Sequence, residues 1–503
     1  GVAGIILANE LKDTYQNIVV IDSGGVNYDQ NVQELNQAES YSKYFPDPHH
    51  SRVRMLGGGS NHWENNTSPF YPVDFEKRDW IPNSGWPITY NQIEPYYKKA
   101  GYYCGVGGDG YELNYWLKLL NTTDPCAASD ILETRVAKAA YPPVRFFHTH
   151  GEALKSSSTI RVFSHSTLID AIYNSETKNV EELIVATNDA KRFSIRSEKV
   201  VFCMGAIQNT RMMLALNEKY NNALGNQTGK VGAFLMEHPT PRAAHLMSSK
   251  QQQFDFFAHK IVKEKSVVGF FSLTDESVRA NETTNLRMPL IPKSNYTLSD
   301  GISSSHILKD AISSGAWPDS FGEHVYNVIS DLDMVIEGIA RKSFDKKLFD
   351  HASEIEGYEI PMMMEQTPLE SNRISLGSSK DKYGVPKINI AYTVSNEDKD
   401  RVWKSLMMVA KEVGALSIGR MSVLKERASR IWNDQLGFSQ HHMGTTRMSS
   451  TLETGVVDEN LKVFGTKNLY ISSSSVFPTG SHVPPTLTIA AVTLKLAEFL
   501  KDE

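Results

Sequence analysis

Cysteine is scarce. Cys104, Cys126 and Cys203 are the three cysteines among 503 residues, and they form neither a disulfide framework nor a C-x-x-C metal pattern. No metal site is expected. Long apolar runs are missing too: none approaches the roughly 18 residues that a membrane-spanning helix needs. Positive charge is not in excess. The 52 Lys+Arg against 58 Asp+Glu leave a net charge of −6, without the basic stripe that nucleic-acid binding demands. Internal repeats and low-complexity segments are also lacking. The expectation is a soluble protein whose compartment, cytoplasmic or periplasmic, is left open; at this length one simple core does not suffice, so two or more intertwined domains are expected.

What is present begins at the first residues, "GVAGIILANE". Gly1-Val2-Ala3-Gly4 would complete a G-x-G-x-x-G fingerprint if another glycine stood two residues upstream. The pattern Ile5, Ile6, Leu7, Ala8, Leu11 then suits a helix packed on a sheet, and "NIVVID" (Asn17–Asp22) reads as a short buried strand closed by an acid. In a nucleotide-binding βαβ unit the glycines let backbone approach a pyrophosphate, and the helix N-terminus supplies N–H groups. An acid roughly 20 residues on hydrogen-bonds the ribose. Asp22 lies 18 residues after Gly4. On this reading the first strand and first glycine are expected to be absent, the sequence being truncated at its N-terminus. The fingerprint alone does not separate FAD from NAD, and a small-residue helix against a strand would leave the same trace.

Two textures alternate along the chain. Strand-and-turn α/β texture marks the first 60 residues, about 155–245 and 440–503. "SEKVVFCMGAIQNTRMMLALN" holds a strand at Val200–Cys203, a glycine turn at Gly205 and an apolar-faced helix. "TKNLYISSSSVFPTGSHVPPTLTIAAVTLKLAEFL" repeats the theme, with a strand at Asn468–Ser472 and a last helix from about Thr486 to Leu500. Stretches between are richer in aromatics, prolines and longer loops. The expected fold class is therefore α/β, with a nucleotide domain assembled from discontinuous segments and a second domain inserted between them.

Four stretches, in order, resemble the glucose–methanol–choline (GMC) family of FAD oxidoreductases. They are "RVRMLGGGSNHWENNTSPF" with "DFEKRDWIPNSGWPITYNQIEPYYKKA"; "VVFCMGAIQNTRMML" with "GKVGAFLMEHP"; "MMMEQTPLESNRISLGSSKDKYGVPKINIAYTVSNED"; and "HHMGTTRM" with "GVVDENLKVFGTKNLYISSSSVFPTG" and "PPTLTIAAVTLKLAEFL". The resemblance implies a Rossmann-like FAD-binding domain from residues 1–69, 155–245 and 440–503. It also implies a substrate-side segment at 70–154 and an α+β substrate domain on an antiparallel sheet at 246–439. FAD becomes the expected cofactor, with Gly1, Gly4 and Asp22 holding its ADP half.

Residue by residue, Gly58, Gly59 and Ser60 offer backbone without bulk to a flat ring or a phosphate. Asn61 and His62 follow, and "SNHW" resembles the pyranose oxidase branch, in which a histidine here is bonded covalently to the flavin. His62 is the position for that link, with a non-covalent contact as the alternative; Trp63 is expected in the core. Gly205 and Ala206 are similar to the turn under the adenine or ribose half, and Leu168 falls where a backbone contact to adenine is expected. Ser473 and Ser474 stand near the pyrophosphate, and Thr486 and Leu487 open the last helix toward the pyrimidine edge.

His441 matches the first histidine of the family's H-x-x-G-[ST] stretch, the expected base that takes the hydroxyl proton as hydride leaves to the flavin. His442 is its less favoured neighbour. The chain departs from the family at Pro484, 43 residues past His441, where most members carry Asn or His. Proline has no side-chain donor or base, so either the partner role is lost or His482 takes it; a surface loop histidine is the alternative.

The resemblance thus implies oxidation of a CH–OH group, with a sugar or glycoside favoured over other alcohols. "SNHW" and "SGWPITY" look like the pyranose-oxidising and glycoside 3-dehydrogenating branches. Trp80, Trp86, Tyr90, Tyr96 and Tyr97 suit either a sugar-stacking pocket or a core. Oxygen, a quinone or a cytochrome is the expected electron acceptor. Two other classes are carried: a non-redox lyase on the same flavin fold, and a flavin-binding protein whose turnover is impaired by Pro484.

Overall fold

A computed structural model describes the chain except residues 44, 243, 249–250, 316, 319, 424–431 and 433–435. Helix α1 (Val2–Leu11) buries Ala3, Ile5, Ile6, Leu7, Ala8 and Leu11. It is apolar on more than one side, which suits a helix enclosed between layers. Strand β1 (Ile18–Ile21) runs parallel to β2 (Ile160–Phe163), Ile18 opposite Ile160. A parallel pair needs a crossover, and here the chain between the two strands contributes the glycine-rich loop and the aromatic segment. Strand β3 (Val200–Phe202) leads through Met204 into helix α2 (Gly205–Lys219).

Beyond α2 the chain builds antiparallel structure. Strand β4 (Pro239–Thr240) precedes a four-stranded sheet in the order 291–294, 355–360, 244–247, 420–423, each pairing antiparallel. Val402, Leu406, Val409 and Val413 of the helix Asn396–Ala415 share one core with Leu246, Tyr358 and Ile360 of that sheet. Beside it, β5 (Leu286–Arg287) pairs with β6 (Met363–Met364), and β7 (Gly437–Phe438) pairs with β4. The chain then returns. Strand β8 (Leu469–Ile471) lies parallel to β3, and helix α3 (Thr486–Asp502) packs on α1 and on the helix Tyr90–Tyr103. Among the described residues, no helix is long and apolar enough to cross a membrane.

The five aromatics that could have formed a stacking surface do not reach the cavity described below. Trp86 and Tyr97 are buried in the main core, with Trp86 Nε1 donating to Thr479 Oγ1 at 2.8 Å and Tyr97 Oη 3.1 Å from Thr488 Oγ1. Trp80 donates to the Thr283 carbonyl, Tyr96 bonds Glu498, and Tyr90 packs on the same core. Apolar area with one polar tip is best satisfied where the tip finds a partner, so the core reading holds.

A fully buried ion pair joins the aromatic segment to the antiparallel layer. Arg78 grips Glu365 with both terminal nitrogens, at 2.7 and 2.6 Å, and each side chain is 1% exposed. Removing one partner from a buried pair leaves an uncompensated charge. Glu365→Ala is therefore expected to destabilise the protein by about 3–5 kcal/mol, read as a shift in urea denaturation; a loss under about 1 kcal/mol would mean that water reaches Arg78.

Candidate functional site

A cavity of about 1430 Å³ runs between the two layers, larger than the roughly 300–1,000 Å³ of most small-molecule sites. The starts of three helices lie on its wall: Gly1 and Val2 of α1, Gly205 and Ala206 of α2, and Thr486 of α3. Free N–H groups and the positive dipole end at each favour an anion. Gly205 has φ +77°, and no atom lies within 4 Å of where a Cβ would stand, so it leaves an open cradle. Gly4, Asp22, Gly58, Gly59, Ser60, His62, Leu168, Ser473 and Ser474 also line the wall. Asp22 accepts from the Gly24 N–H at 2.9 Å, and burial raises its carboxyl above the ordinary range. His442 lines the cavity as well; neither of its buried ring nitrogens has a partner among the described residues. A carboxyl group, three helix starts and unsatisfied polar atoms on one wall are chemistry that suits a dinucleotide.

The reactive end is built from two antiparallel segments. Met236 and Met443 exchange backbone hydrogen bonds at 3.0 Å, and further along Thr240 pairs with Gly437 and Pro239 with Phe438. Between these ties sit His238 and His441, with Nδ1 to Nδ1 at 2.9 Å. Glu237 steadies both, its Oε2 accepting from the N–H of His238 at 3.2 Å and of Gln440 at 3.1 Å. Burial raises that carboxyl to about 8. Gly444, at φ +88°, lets the chain turn where a Cβ would meet the Phe234 carbonyl at 2.3 Å. Beyond it the N–H groups of Gly444, Thr446 and Met448 bond the carbonyls of Ser474, Ser475 and Val476.

The proton positions follow from the partners. His238 Nε2 lies 3.0 Å from the carbonyl oxygens of Gly480 and Ser481. Carbonyls only accept, so Nε2 carries the hydrogen. Burial holds His238 neutral, its pKa lowered to about 4, which leaves its Nδ1 as an acceptor. His441 must then donate from Nδ1, and its Nε2 holds a lone pair. That nitrogen has no hydrogen-bond partner among the described residues, and His441 lines the cavity. Burial first, then the neighbouring His238 and Arg52, keeps His441 well below the usual imidazole value of 6.5.

Three sequence expectations are corrected. His482 is neither a surface residue nor on the cavity wall. Its ring is fully buried, stacked on Tyr71 at 5.5 Å, with Nε2 3.1 Å from Ser272 Oγ and 3.4 Å from Arg135. Asn61 spends its amide on its own loop, donating to the Leu56 and Gly58 carbonyls at 3.0 Å. Leu487 is 0% exposed within the main core, because the second residue of α3 faces inward while Thr486 faces the cavity. Trp63 takes an intermediate place, donating to the Val144 carbonyl at 2.7 Å while its ring lines the wall. Pro484 lines it too and offers no polar atom from its side chain.

His238 and Arg287 are the site residues that motif reading passed over. "LMEHP" carries the first inside a matched stretch, and "NLRMPL" shows the second as a lone charge in an apolar run.

Known proteins resemble this chain in sequence and in fold. The GMC oxidoreductase family profile matches residues 368–493. A 2-methyl-1,2-propanediol dehydrogenase of Mycolicibacterium austroafricanum is 22% identical, over 94% of this chain and 85% of that protein. A C-glycoside 3-oxidase of Microbacterium trichothecenolyticum is 29% identical, over 26% of this chain and 25% of its own length. The solved structure of an FAD-dependent oxidoreductase from Chaetomium thermophilum superposes with a TM-score of 0.57 at 13% identity, covering 100% of this chain and 98% of that one. Residues 368–493 thus carry a GMC oxidoreductase block, and the chain as a whole is similar in sequence and in fold to proteins of that kind.

Proposed function

We propose that this protein binds FAD in the cavity and oxidises a CH–OH group of a sugar or glycoside. The observation that carries the reading is the His238–His441 contact, which leaves one lone pair, on His441 Nε2, at the wall of a cavity suited to a dinucleotide. Residues 1–69, 155–245 and 440–503 act on this reading as one Rossmann-like FAD-binding unit, with 70–154 and 246–439 inserted on the substrate side. Gly1, Gly4 and Gly205 with Ala206 approach the pyrophosphate and adenylate, Asp22 the ribose, and Leu168 the adenine. Ser473, Ser474 and Thr486 line the path toward the ring, and Gly58, Gly59, Ser60 and His62 its other side. A covalent link at His62 belongs to the proposal, and acid-precipitated protein that stays yellow is its sign.

Bound flavin supplies a two-electron acceptor for the hydride of the C–H bond. The chain's own share is a proton and its direction. His441 Nε2 takes the hydroxyl proton, while Nδ1–H stays donated to His238, so the developing imidazolium keeps a fixed orientation. His238 is a positioning residue: its Nε2–H is spent on two carbonyls, and it contacts no substrate. Pro484 shapes the wall and leaves the substrate oxygen to His441. Sugars are favoured because a C-glycoside 3-oxidase is 29% identical over 26% of this chain; oxygen, a quinone or a cytochrome then reoxidises the cofactor.

His441→Ala is expected to lower kcat by about 10²–10⁴-fold with flavin content unchanged, measured by absorbance and steady-state kinetics on a sugar panel. Unchanged turnover would move the base elsewhere.

The pH dependence has a definite sign. The base works when neutral, and its pKa lies below 6.5, so kcat/KM should hold level as pH falls to 6.5 and decline only below it. His238→Ala should cost about 10–100-fold in kcat, as loss of an orienting partner does elsewhere, and should shift that acid limb upward. A variant that merely loosens the fold would leave the limb in place.

A further inference from the structure

Arg287 is a buried cation that forms no ion pair among the described residues, with the Glu64 carboxylate acting on it only at a distance. It is 8% exposed, and no hydrogen bond or ion pair joins its side chain to any described residue. Its Nε is enclosed and unpartnered, and its guanidinium lies 5.1 Å from the centre of the Phe270 ring. Burial lowers its pKa to about 10, so it keeps its charge at neutral pH. A buried charge costs several kcal/mol unless something pairs with it. The other arginines of the cavity are engaged: Arg52 donates to the Gln440 carbonyl at 2.8 Å, and Arg242 pairs with Glu359 at 3.3 Å. Glu64, also on the wall, is exposed and makes no ion pair with Arg287 among the described residues.

The fold explains where this charge points. Arg287 sits on β5 opposite Met363 of β6. Met362 N–H bonds the Pro241 carbonyl just past β4, and β4 pairs with β7, three residues before His441. Arg287, Met363, Pro361, Phe438 and His441 therefore share one wall. Its apolar members strengthen any charge interaction made there. A guanidinium presents a planar fork that matches an acid group with two parallel hydrogen bonds.

We propose that Arg287 binds an anionic group of the substrate, so that the sugar oxidised beside His441 carries a carboxylate or a phosphate ester away from the reacting hydroxyl. The inference rests on the oxidation reading above for the words "substrate" and "oxidised"; the anion subsite itself rests on Arg287 alone.

The test is calorimetric titration of the purified flavoprotein with D-glucuronate, glucose 6-phosphate and glucose. Wild-type protein should bind one of the charged sugars at least about tenfold more tightly than glucose, the scale of a hydrogen bond to a charged group. Arg287→Met should abolish that advantage, and Arg287→Lys, which keeps the charge without the fork, should keep part of it; circular dichroism checks that both variants fold. Which anion gains identifies the source of the charge. Equal affinities in the wild type, or an advantage that survives Arg287→Met, would overturn the proposal. Parallel anaerobic bleaching separates the two readings. An Arg287-dependent advantage in a protein that oxidises none of the sugars upholds the subsite and removes the oxidation. Acidic and neutral sugars oxidised and bound alike do the reverse.

Discussion

One contact between two neutral imidazoles organises the reactive end of this molecule. His238 and His441 meet nitrogen to nitrogen, and two backbone carbonyls beyond His238 dictate which of the four ring nitrogens carry hydrogen. Such a chain has a direction. The carbonyls of Gly480 and Ser481 fix His238, His238 fixes His441, and the lone pair emerges at the far end. Each bond is worth only about 1 kcal/mol net, yet leaving a buried donor unmatched costs about 1–3 kcal/mol, so the arrangement resists the opposite tautomer. It also ties three stretches distant in sequence, 236–240, 437–443 and 480–481, into one rigid corner.

Around that corner the wall divides by chemistry. The end near α1, α2 and α3 offers N–H groups and helix dipoles. The end near β5 and β6 offers apolar side chains and Arg287, which forms no ion pair among the described residues. Pro484 stands between them without a polar atom of its own. On the readings proposed above, such a site takes ligands that bring negative charge to both ends, while the imidazole stays neutral. Burial first, and then the positive charge of Arg52 and Arg287, hold the histidines deprotonated.

Much of this was legible before any coordinates. Apolar runs gave β1, β3 and β8 to within a residue, because short apolar strands carry no polar alternation to confuse them, although β1, expected to be buried, is only partly covered, with Val19 exposed. The glycine turn at Gly205 and the acid at Asp22 announced their places by spacing. His441 stood out through the family's H-x-x-G-[ST] stretch, and the structure adds the reason for its glycine, since a Cβ on Gly444 would meet the Phe234 carbonyl. What was not legible depended on partners far away. Nothing local told His482 that Ser272 and Arg135 would claim it, or Leu487 that its side of α3 faced the core. Asn61 looked like a cofactor contact, although an asparagine beside glycines can as well bond its own turn. His238 and Arg287 were hidden for the opposite reason: each is a single polar residue in an apolar stretch, and its meaning comes from the strand opposite.

The pairing of α1 with α3 has a consequence for how the polypeptide reaches this state. The first helix buries its apolar sides against the last one, and β3 waits for β8 from the same late stretch. During synthesis, which proceeds from the amino end, the early elements leave the ribosome long before their partners exist. Contacts this distant in sequence are slow to close, and the uncovered faces meanwhile invite association with other chains. A molecule so arranged gains its binding cavity in a final, cooperative step, and its yield in cells depends on how long those faces can be shielded.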